Sequence, residues 1–384
     1  MPQSMGKYGA TLHIDLSSIQ ANWKLLASMC NNSTVSSVVK ANCYGLGISY
    51  IVPALASIGC KEFFSATIDE AIEIKKLISD REVNLLFGVN TEEEAFICLE
   101  KKINPVINHL GQFEIWQGAC KKISSSSNDY IPKAWFHIDT GMSRLGIPEK
   151  ELEKIIERYI TSIKLPFNGV ISHLACAEEP EHPMNCIQLK RFRLLRDKII
   201  NFTPQSSRWS LANSSGIFLG NDYHFNLTRP GASLYGLNPT PYQENPMKNI
   251  VTLYGKILQV QQVDRNQTVG YGATHTFTKP GRIATVGVGY ADGYMRSSGG
   301  ISKARLGKIS VPIIGRVSMD LITLDISEVP EGKYHLGCPV ELIGKDYTVD
   351  DFARDSGTIG EEVLTTLGNR YERVWNNIDT PVKI

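Results

Sequence analysis

Long apolar runs are missing from this 384-residue chain. No stretch approaches the roughly 18 residues that a membrane-spanning helix needs. The opening, MPQSMGKYGATLHIDL, has no apolar core of signal-peptide length. A cytoplasmic protein without membrane contacts is expected. Net charge is nearly absent as well: 40 basic residues against 39 acidic ones leave +1. The densest basic cluster, Lys190–Arg191–Phe192–Arg193 with Arg196 and Lys198, reads as the solvated face of a helix. Nucleic-acid partners select for excess positive charge interleaved with aromatics, so they are disfavoured. Cys-x-x-Cys pairs are absent too. The eight cysteines, at 30, 43, 60, 98, 120, 176, 186 and 338, read as reduced and mostly buried thiols. In a chain of this length that argues against a disulfide framework or a zinc site, and no metal is expected. Low complexity is limited to Ser124–Ser127. No Gly-x-Gly-x-x-Gly follows a first strand, which removes the signature of a dinucleotide-binding sheet.

What recurs instead is a strand followed by a helix. Apolar runs at Val35–Val39, Phe63–Ala66, Val83–Phe87, Pro105–Asn108, Ala134–Ile138, Gly169–Ser172, Arg208–Leu211 and Leu227–Tyr235 read as eight strands. Helical spacing follows at Glu70–Ile78, with Asp69 as its expected N-cap, and at Phe113–Cys120, Glu149–Tyr159, Asn185–Ile200 and Ser214–Leu219. Thr91–Glu94 reads as a further helix start. Eight alternations over about 200 residues match a closed (β/α)8 barrel better than an open sheet. The barrel is assigned to residues 10–238. The proline-rich stretch from Asn238 to Pro246 reads as a linker. Residues 239–384 then turn mainly β, with strands at Val251–Val260, Ile283–Val288, Ile309–Ile314, Leu321–Ile326 and Val340–Ile343. Helix returns near Asp350–Arg354 and Glu361–Leu367. The early strand within residues 8–14 is expected to pair with this second domain. The fold class is therefore α/β, a barrel followed by a mainly β domain.

Chemistry concentrates at strand C-termini. Lys40 ends the first apolar strand, where burial of its stem would lower its pKa and free the amine for a Schiff base. A snorkelling surface lysine is the bland alternative. Asp139–Arg144, Ser172–His173, Asn213–Ser214 and Arg229–Pro230–Gly231 fall on the same rim. Ser214 at a helix start, with Gly231 nearby, suits a phosphate cradle, although Asn-Ser before a helix is often only a cap. Lysine, cradle and arginine together point to pyridoxal 5′-phosphate. In the second domain, Tyr271 and Tyr290 are bracketed by glycines, either for close approach to another surface or as plain hairpin turns. Arg316–Asp320 alone reads as a strand edge.

Six motifs stand in order: Val-Val-Lys-Ala-Asn-x-Tyr-Gly (38–45), Asp-Thr-Gly-Met-x-Arg-Leu-Gly (139–146), Arg-Pro-Gly (229–231), Tyr-Gly-Ala-Thr (271–274), Gly-Tyr-Ala-Asp-Gly (289–293) and Arg-Val-x-Met-Asp (316–320). In this combination the chain resembles the alanine racemase family, from about Ala10 onward. The resemblance implies two-base racemisation of L- and D-alanine on pyridoxal 5′-phosphate, for cell-wall peptidoglycan. It also implies a head-to-tail homodimer with shared sites. Lys40 would carry the cofactor and serve as the base facing D-alanine, and the partner's Tyr271 as the base facing L-alanine. Arg229 would meet the pyridine nitrogen. Tyr44, Ser214, Gly231 and Ala232 would hold the phosphate, with His173 behind the Tyr271–Arg229 pair. Arg144 and the Met319 backbone would take the substrate carboxylate, and Tyr290 would narrow the way in. Three positions depart from the family pattern. His137 replaces a lysine that is sometimes carbamylated, Glu361 replaces a tyrosine near the phosphate, and Ser210 replaces a histidine beside the arginine. Two other readings are a related amino-acid decarboxylase or racemase and a non-catalytic cofactor carrier. The carriers resemble the barrel alone, so the second domain separates them.

Overall fold

The computed structural model describes residues 9–123, 132–155, 168–200, 203 and 205–376. Seven short parallel strands run side by side in chain order: Ser37–Val38, Glu62–Ser65, Glu82–Leu85, Ile103–Ile107, Trp135–His137, Gly169–Ile171 and Arg208–Ser210. The eighth, Leu227–Thr228, closes the ring by pairing in parallel with Thr34–Val35. Two backbone bonds complete that seam, Ser36 N–H to Thr228 O at 3.1 Å and Val38 N–H to Pro230 O at 2.9 Å, while Asn226 N–H to Trp209 O at 2.9 Å ties the eighth strand to the seventh. The eighth apolar stretch is only partly strand. Pro230 has no N–H to continue a ladder, and Ala232–Tyr235 coils into a 3-10 turn.

Side-chain alternation along the strands builds two cores. Val38, Phe64, Val106, Trp135, Ile171 and Leu227 meet inside the barrel. Phe63, one residue from Phe64, joins the larger core outside with Val83, Ile103 and Phe136. Helices Ile68–Leu77, Glu92–Lys101, Leu110–Ile123 and Pro183–Ile199 belong to the surrounding layer. The N-cap of Ile68–Leu77 is Thr67 rather than the expected Asp69. Its hydroxyl accepts the Glu70 N–H at 3.4 Å, while the Glu70 carboxylate accepts the Thr67 N–H at 3.3 Å. Asp69 instead lies in the first turn, where its charge suits the helix dipole. A helix at Ile48–Ser57, with Pro53 inside it, carried no clear sequence signal. The Ser124–Ser127 run and the end of the helix expected over Glu149–Tyr159 lie outside the described residues; the described part spans Glu149–Ile155.

A polar plug shuts the N-terminal end of the barrel. Arg208 grips Glu62 with two bonds, of 2.6 and 3.1 Å. Asn84 donates to Glu62 at 2.9 Å, and Trp135 Nε1 donates to Asn84 at 2.9 Å. Every group in this network has a partner, which is what a buried ion pair needs. The open end is therefore the C-terminal rim, where barrel enzymes place their chemistry.

The second domain is an eight-stranded sheet in the order Gly281–Val286, Ile322–Asp325, Ile309–Ile314, Lys303–Leu306, Pro339–Ile343, Val251–Val263, Ala10–Asp15 and Glu372–Asn376. The long strand Val251–Val263 also pairs with Gly281–Val286, which curls the sheet on itself. The early strand pairs as expected, antiparallel to Val251–Gly255 on one side. On the other side it runs parallel to Glu372–Asn376, so both chain ends share one ladder. Lys303–Leu306 and Glu372–Asn376 were not among the expected strands. Lys303–Leu306 does alternate but spans only four residues, and Glu372–Asn376 does not alternate in burial, so neither gave a period-2 signal long enough to read.

Arg208→Met is expected to cost about 3–5 kcal/mol of stability, because Glu62 stays buried without its cation. The pair replacement Glu62→Met with Arg208→Met should recover most of that loss. Guanidinium unfolding curves of the two variants and the parent check both statements. An Arg208→Met protein as stable as the parent would show that the plug carries no stability.

Candidate active site

Lys40 begins a backbone reversal. Ala41, Asn42, Cys43 and Tyr44 have φ of 52, 53, 56 and 54°, one left-handed turn made without glycine. Each such L-residue costs about 1–2 kcal/mol, so the turn persists only where its surroundings hold it. Cys43 N–H reaches back to Val39 O at 3.1 Å, and Gly45 N–H to Ala41 O at 2.7 Å. Asn42 Oδ1 accepts the Ile48 N–H at 2.7 Å. Gly45, at φ 81°, lets Leu364 O approach to 2.6 Å of where a Cβ would stand. The second domain buttresses the turn from outside. Arg373 donates to Gly45 O, Trp375 Nε1 donates to Leu46 O at 2.9 Å, and Trp375 stacks on Tyr50 with centroids 3.9 Å apart. Burial, then the Arg144 charge, pulls the Lys40 amine below its ordinary pKa; Glu361 and Glu70 oppose this.

Tyr44, at the end of the turn, is buried and stacked on Tyr235, with centroids 4.4 Å apart. Its hydroxyl lies so close to Gly231 that any Cβ there would collide with it. Burial, then Glu361, raises the Tyr44 pKa, so the phenol keeps its proton and can donate. Ser214 Oγ accepts the N–H of Gly231 at 3.0 Å and of Ser233 at 3.2 Å. Ala232, between those two, opens the 3-10 turn. The buried Ser233 hydroxyl has no partner among the described residues. Tyr44, Ser214, Gly231 and Ala232 are thus brought together. The Gly231 and Ser233 amides are spent on Ser214 Oγ, which leaves the Tyr44 and Ser214 hydroxyl protons converging where no side chain fits, a donor pair that suits a phosphate group.

Arg229 is 5% exposed. It donates to Ser210 Oγ and to Ser172 O, so the serine does take the place of an arginine partner. Burial lowers its pKa to about 10, against the pull of Glu62, which leaves it cationic at neutral pH. His173 is driven well below its usual pKa by burial, then by Arg229 and Arg144, and stays neutral. His137 is held near 4 by burial first and by Arg229 next. Asn108 donates Nδ2 to Leu86 O and Val106 O, both at 3.0 Å, which turns its Oδ1 toward His137 Nδ1 at 2.8 Å. The proton of His137 is thereby assigned to Nδ1. Arg144 follows a loop tied by Asp139 Oδ1, which accepts the N–H of Gly141, Met142 and Ser143 at 2.8, 3.0 and 3.1 Å. The Arg144 guanidinium is exposed and makes no hydrogen bond among the described residues. Lys40, Arg144 and Arg229 give the rim three cations beside two neutral histidines, a field that draws carboxylates and phosphates.

Tyr271, Tyr290 and Met319 stand apart from this rim. They are 71%, 42% and 55% exposed. Gly270 and Gly272, at φ 72 and 74°, set the Tyr271 turn against Arg316. Tyr290 N–H donates to Ser318 O at 3.0 Å and Ala291 N–H to Met319 O at 2.9 Å, so the segment 315–319 carries both tyrosine turns. Among the described residues, no hydrogen bond joins Tyr271, Tyr290 or Met319 to Lys40, Arg144, His173, Ser214 or Arg229.

The family pattern for the alanine racemase N-terminal domain matches residues 14–239, and the pattern for the C-terminal domain matches residues 250–375. The chain belongs to the alanine racemase family. It is 42% identical to an alanine racemase of Rhodospirillum rubrum over 371 residues, 96% of each chain. An alanine racemase of Rickettsia canadensis is also 42% identical, over 94% of this chain and 98% of that one. Among solved structures, the alanine racemase of Bartonella henselae with covalently bound pyridoxal phosphate superposes with a TM-score of 0.88 at 35% identity, over 97% of this chain and 100% of that one. The biosynthetic alanine racemase of Pseudomonas aeruginosa gives a TM-score of 0.87 at 31% identity, over 96% and 100%.

In this alanine racemase family member, Glu361 opens the helix Gly360–Thr366. Burial raises its pKa, Glu178 and Asp350 add to that, and Lys40 opposes it. An ionised carboxylate there would repel a phosphate held by Tyr44. Glu361→Gln is expected to bind pyridoxal 5′-phosphate more tightly than the parent at pH 8, because a neighbouring negative charge is removed. Protonation does the same to the parent. The difference should therefore shrink as pH falls through the raised Glu361 pKa. Dissociation constants from cofactor fluorescence across pH check this, and weaker binding by Glu361→Gln would overturn it.

Proposed function

We infer that the protein interconverts L-alanine and D-alanine with pyridoxal 5′-phosphate, providing D-alanine for peptidoglycan. The carrying observation is the pairing of a desolvated lysine at a strand end with the Tyr44–Ser214–Gly231 cradle and a buried arginine. The cofactor supplies the electron sink that makes the α-proton of a bound amino acid removable. Lys40 anchors it covalently, and Tyr44, Ser214, Gly231 and Ala232 hold its phosphate. Arg229 would meet the pyridine nitrogen. A guanidinium has no acceptor to share a proton, so the ring nitrogen would stay unprotonated and the sink would be weaker than beside a carboxylate. That would favour return of the proton to Cα over side transamination.

Racemisation removes a proton from one face of Cα and delivers one to the other. Two fixed bases on opposite faces do this without either having to swing. Lys40 Nζ serves one face, and burial lowers its pKa toward the neutral amine that can take a proton. Tyr271 Oη serves the other. Arg144 and the Met319 backbone take the substrate carboxylate, His173 backs the Tyr271–Arg229 pair, and Tyr290 narrows the access path. The two bases lie on separate domains, and Tyr271 is 71% exposed in one chain. A head-to-tail homodimer that sets Tyr271 of one protomer over Lys40 of its partner supplies both bases to each site. We place the enzyme in the cytoplasm; no described helix is long and apolar enough to cross a membrane.

Two experiments test this reading. Borohydride reduction of the cofactor-loaded protein, followed by peptide mapping, should fix the label on Lys40; a label on another lysine ends the assignment. Lys40→Ala and Tyr271→Phe proteins, each inactive alone, should then be refolded together. Random pairing gives about half hybrids, each with one intact site, so about a quarter of parental D-alanine formation should return. Hybrids confirmed by differential tags but without activity would exclude shared sites.

A further inference from the structure

We propose that Glu70 is a positioning residue of the racemase site: its carboxylate holds the left-handed turn that carries Lys40 and Tyr44. The proposal rests on Lys40 being the cofactor lysine. The argument begins with backbone bookkeeping, since each amide in a strained turn needs an acceptor. The Cys43 and Gly45 amides find theirs within the turn and at Val39. Ala41 N–H does not. It donates to Glu70 Oε1 at 2.6 Å, from 29 residues further along the chain. Its peptide nitrogen is bonded directly to the Lys40 carbonyl carbon, so this contact fixes where the lysine leaves the strand. The second oxygen, Oε2, accepts the N–H of Ala66 at 2.9 Å and of Thr67 at 3.3 Å. One carboxylate thus ties the loop after the second barrel strand to the turn after the first.

A helix cap alone does not explain this. The next helix provides an internal comparison, because Thr91 and Glu94 form the same capping box. Glu94 Oε2 accepts the N–H of Asn90 at 2.6 Å and of Thr91 at 3.3 Å, matching the Oε2 contacts of Glu70. The Oε1 bond to a neighbouring loop belongs to Glu70. A cap needs one carboxylate oxygen, and Glu70 commits the other to the lysine turn. Such charge-assisted bonds are short and strong. The far end of the same turn presents the Tyr44 hydroxyl to the Gly231 cradle. Holding the turn therefore sets the lysine and the phosphate tyrosine together. The groups acting on the Lys40 charge are Arg144, Glu361 and Glu70, and Glu70 supports the cation.

The test uses full-length, cofactor-loaded Glu70→Gln, Glu70→Ala and Glu94→Ala proteins. Glu70→Gln keeps the side-chain shape but has only one accepting oxygen, so it disturbs the fold less than Glu70→Ala and keeps the test readable if the alanine variant does not fold. Both Glu70 variants are expected to bind pyridoxal 5′-phosphate about 10- to 100-fold more weakly, the range of a lost bond to a charged group. kcat should fall in both directions with little change in KM, because substrate is held elsewhere. The pH midpoint of the visible band of the bound cofactor should move to lower pH as the negative neighbour is removed. Glu94→Ala should lower the melting temperature comparably and leave those three readouts at parental values. Glu70→Gln with a lower melting temperature but parental cofactor affinity, kcat and pH midpoint would overturn the proposal. A borohydride label absent from Lys40 would instead overturn the reading beneath it.

Discussion

The site depends on a backbone that turns the wrong way. Four consecutive L-residues after Lys40 adopt left-handed angles, a conformation that the chain alone disfavours. It survives because the chain closes on it from several directions. The barrel supplies the Val39 carbonyl, and the second domain supplies Arg373, Trp375 and the Leu364 carbonyl. The turn converts a strand end into two reactive directions, with the lysine at its start and Tyr44 at its finish. A right-handed continuation would send those side chains elsewhere.

Charge placement follows from that geometry. The rim gathers Lys40, Arg144 and Arg229; among the described residues no carboxylate is bonded to either arginine, and burial keeps both histidines neutral. Glu361 and Glu70 offset the Lys40 charge. Glu62 faces the opposite end of the barrel, where Arg208 neutralises it. The molecule thus separates a satisfied polar plug that holds the barrel from a rim whose two arginines are not paired with acids. Protein stability and ligand affinity are placed at opposite ends of the same eight strands.

The sequence disclosed much of this through period and motif. Eight apolar runs spaced by helical segments made the barrel legible, and Ser214 and Gly231 were read onto one rim, where they meet. What stayed hidden was conformational. Ala41, Cys43 and Tyr44 carry no propensity for left-handed angles, because tertiary contacts impose them. Thr67 was passed over as a cap in favour of Asp69, since a capping box needs both partners in view and Glu70 had been read only as helix. The strand Glu372–Asn376 was missed because its partner, Ala10–Asp15, lies at the other end of the chain. Tyr271 was legible as a motif but not as a location, since its exposure is a property of the folded surface.

The shared ladder of the two chain ends has a temporal side. The Gly45 carbonyl and its Arg373 donor are 328 positions apart in the chain. A ribosome therefore releases the lysine turn long before its buttress. Long-range closure of this kind carries an entropic cost that local contacts cannot offset in advance. A nascent barrel holds Lys40 in a turn still lacking the Arg373 and Trp375 contacts. The turn is fully supported only once the strand Glu372–Asn376 has joined the second domain, not when the barrel alone has closed.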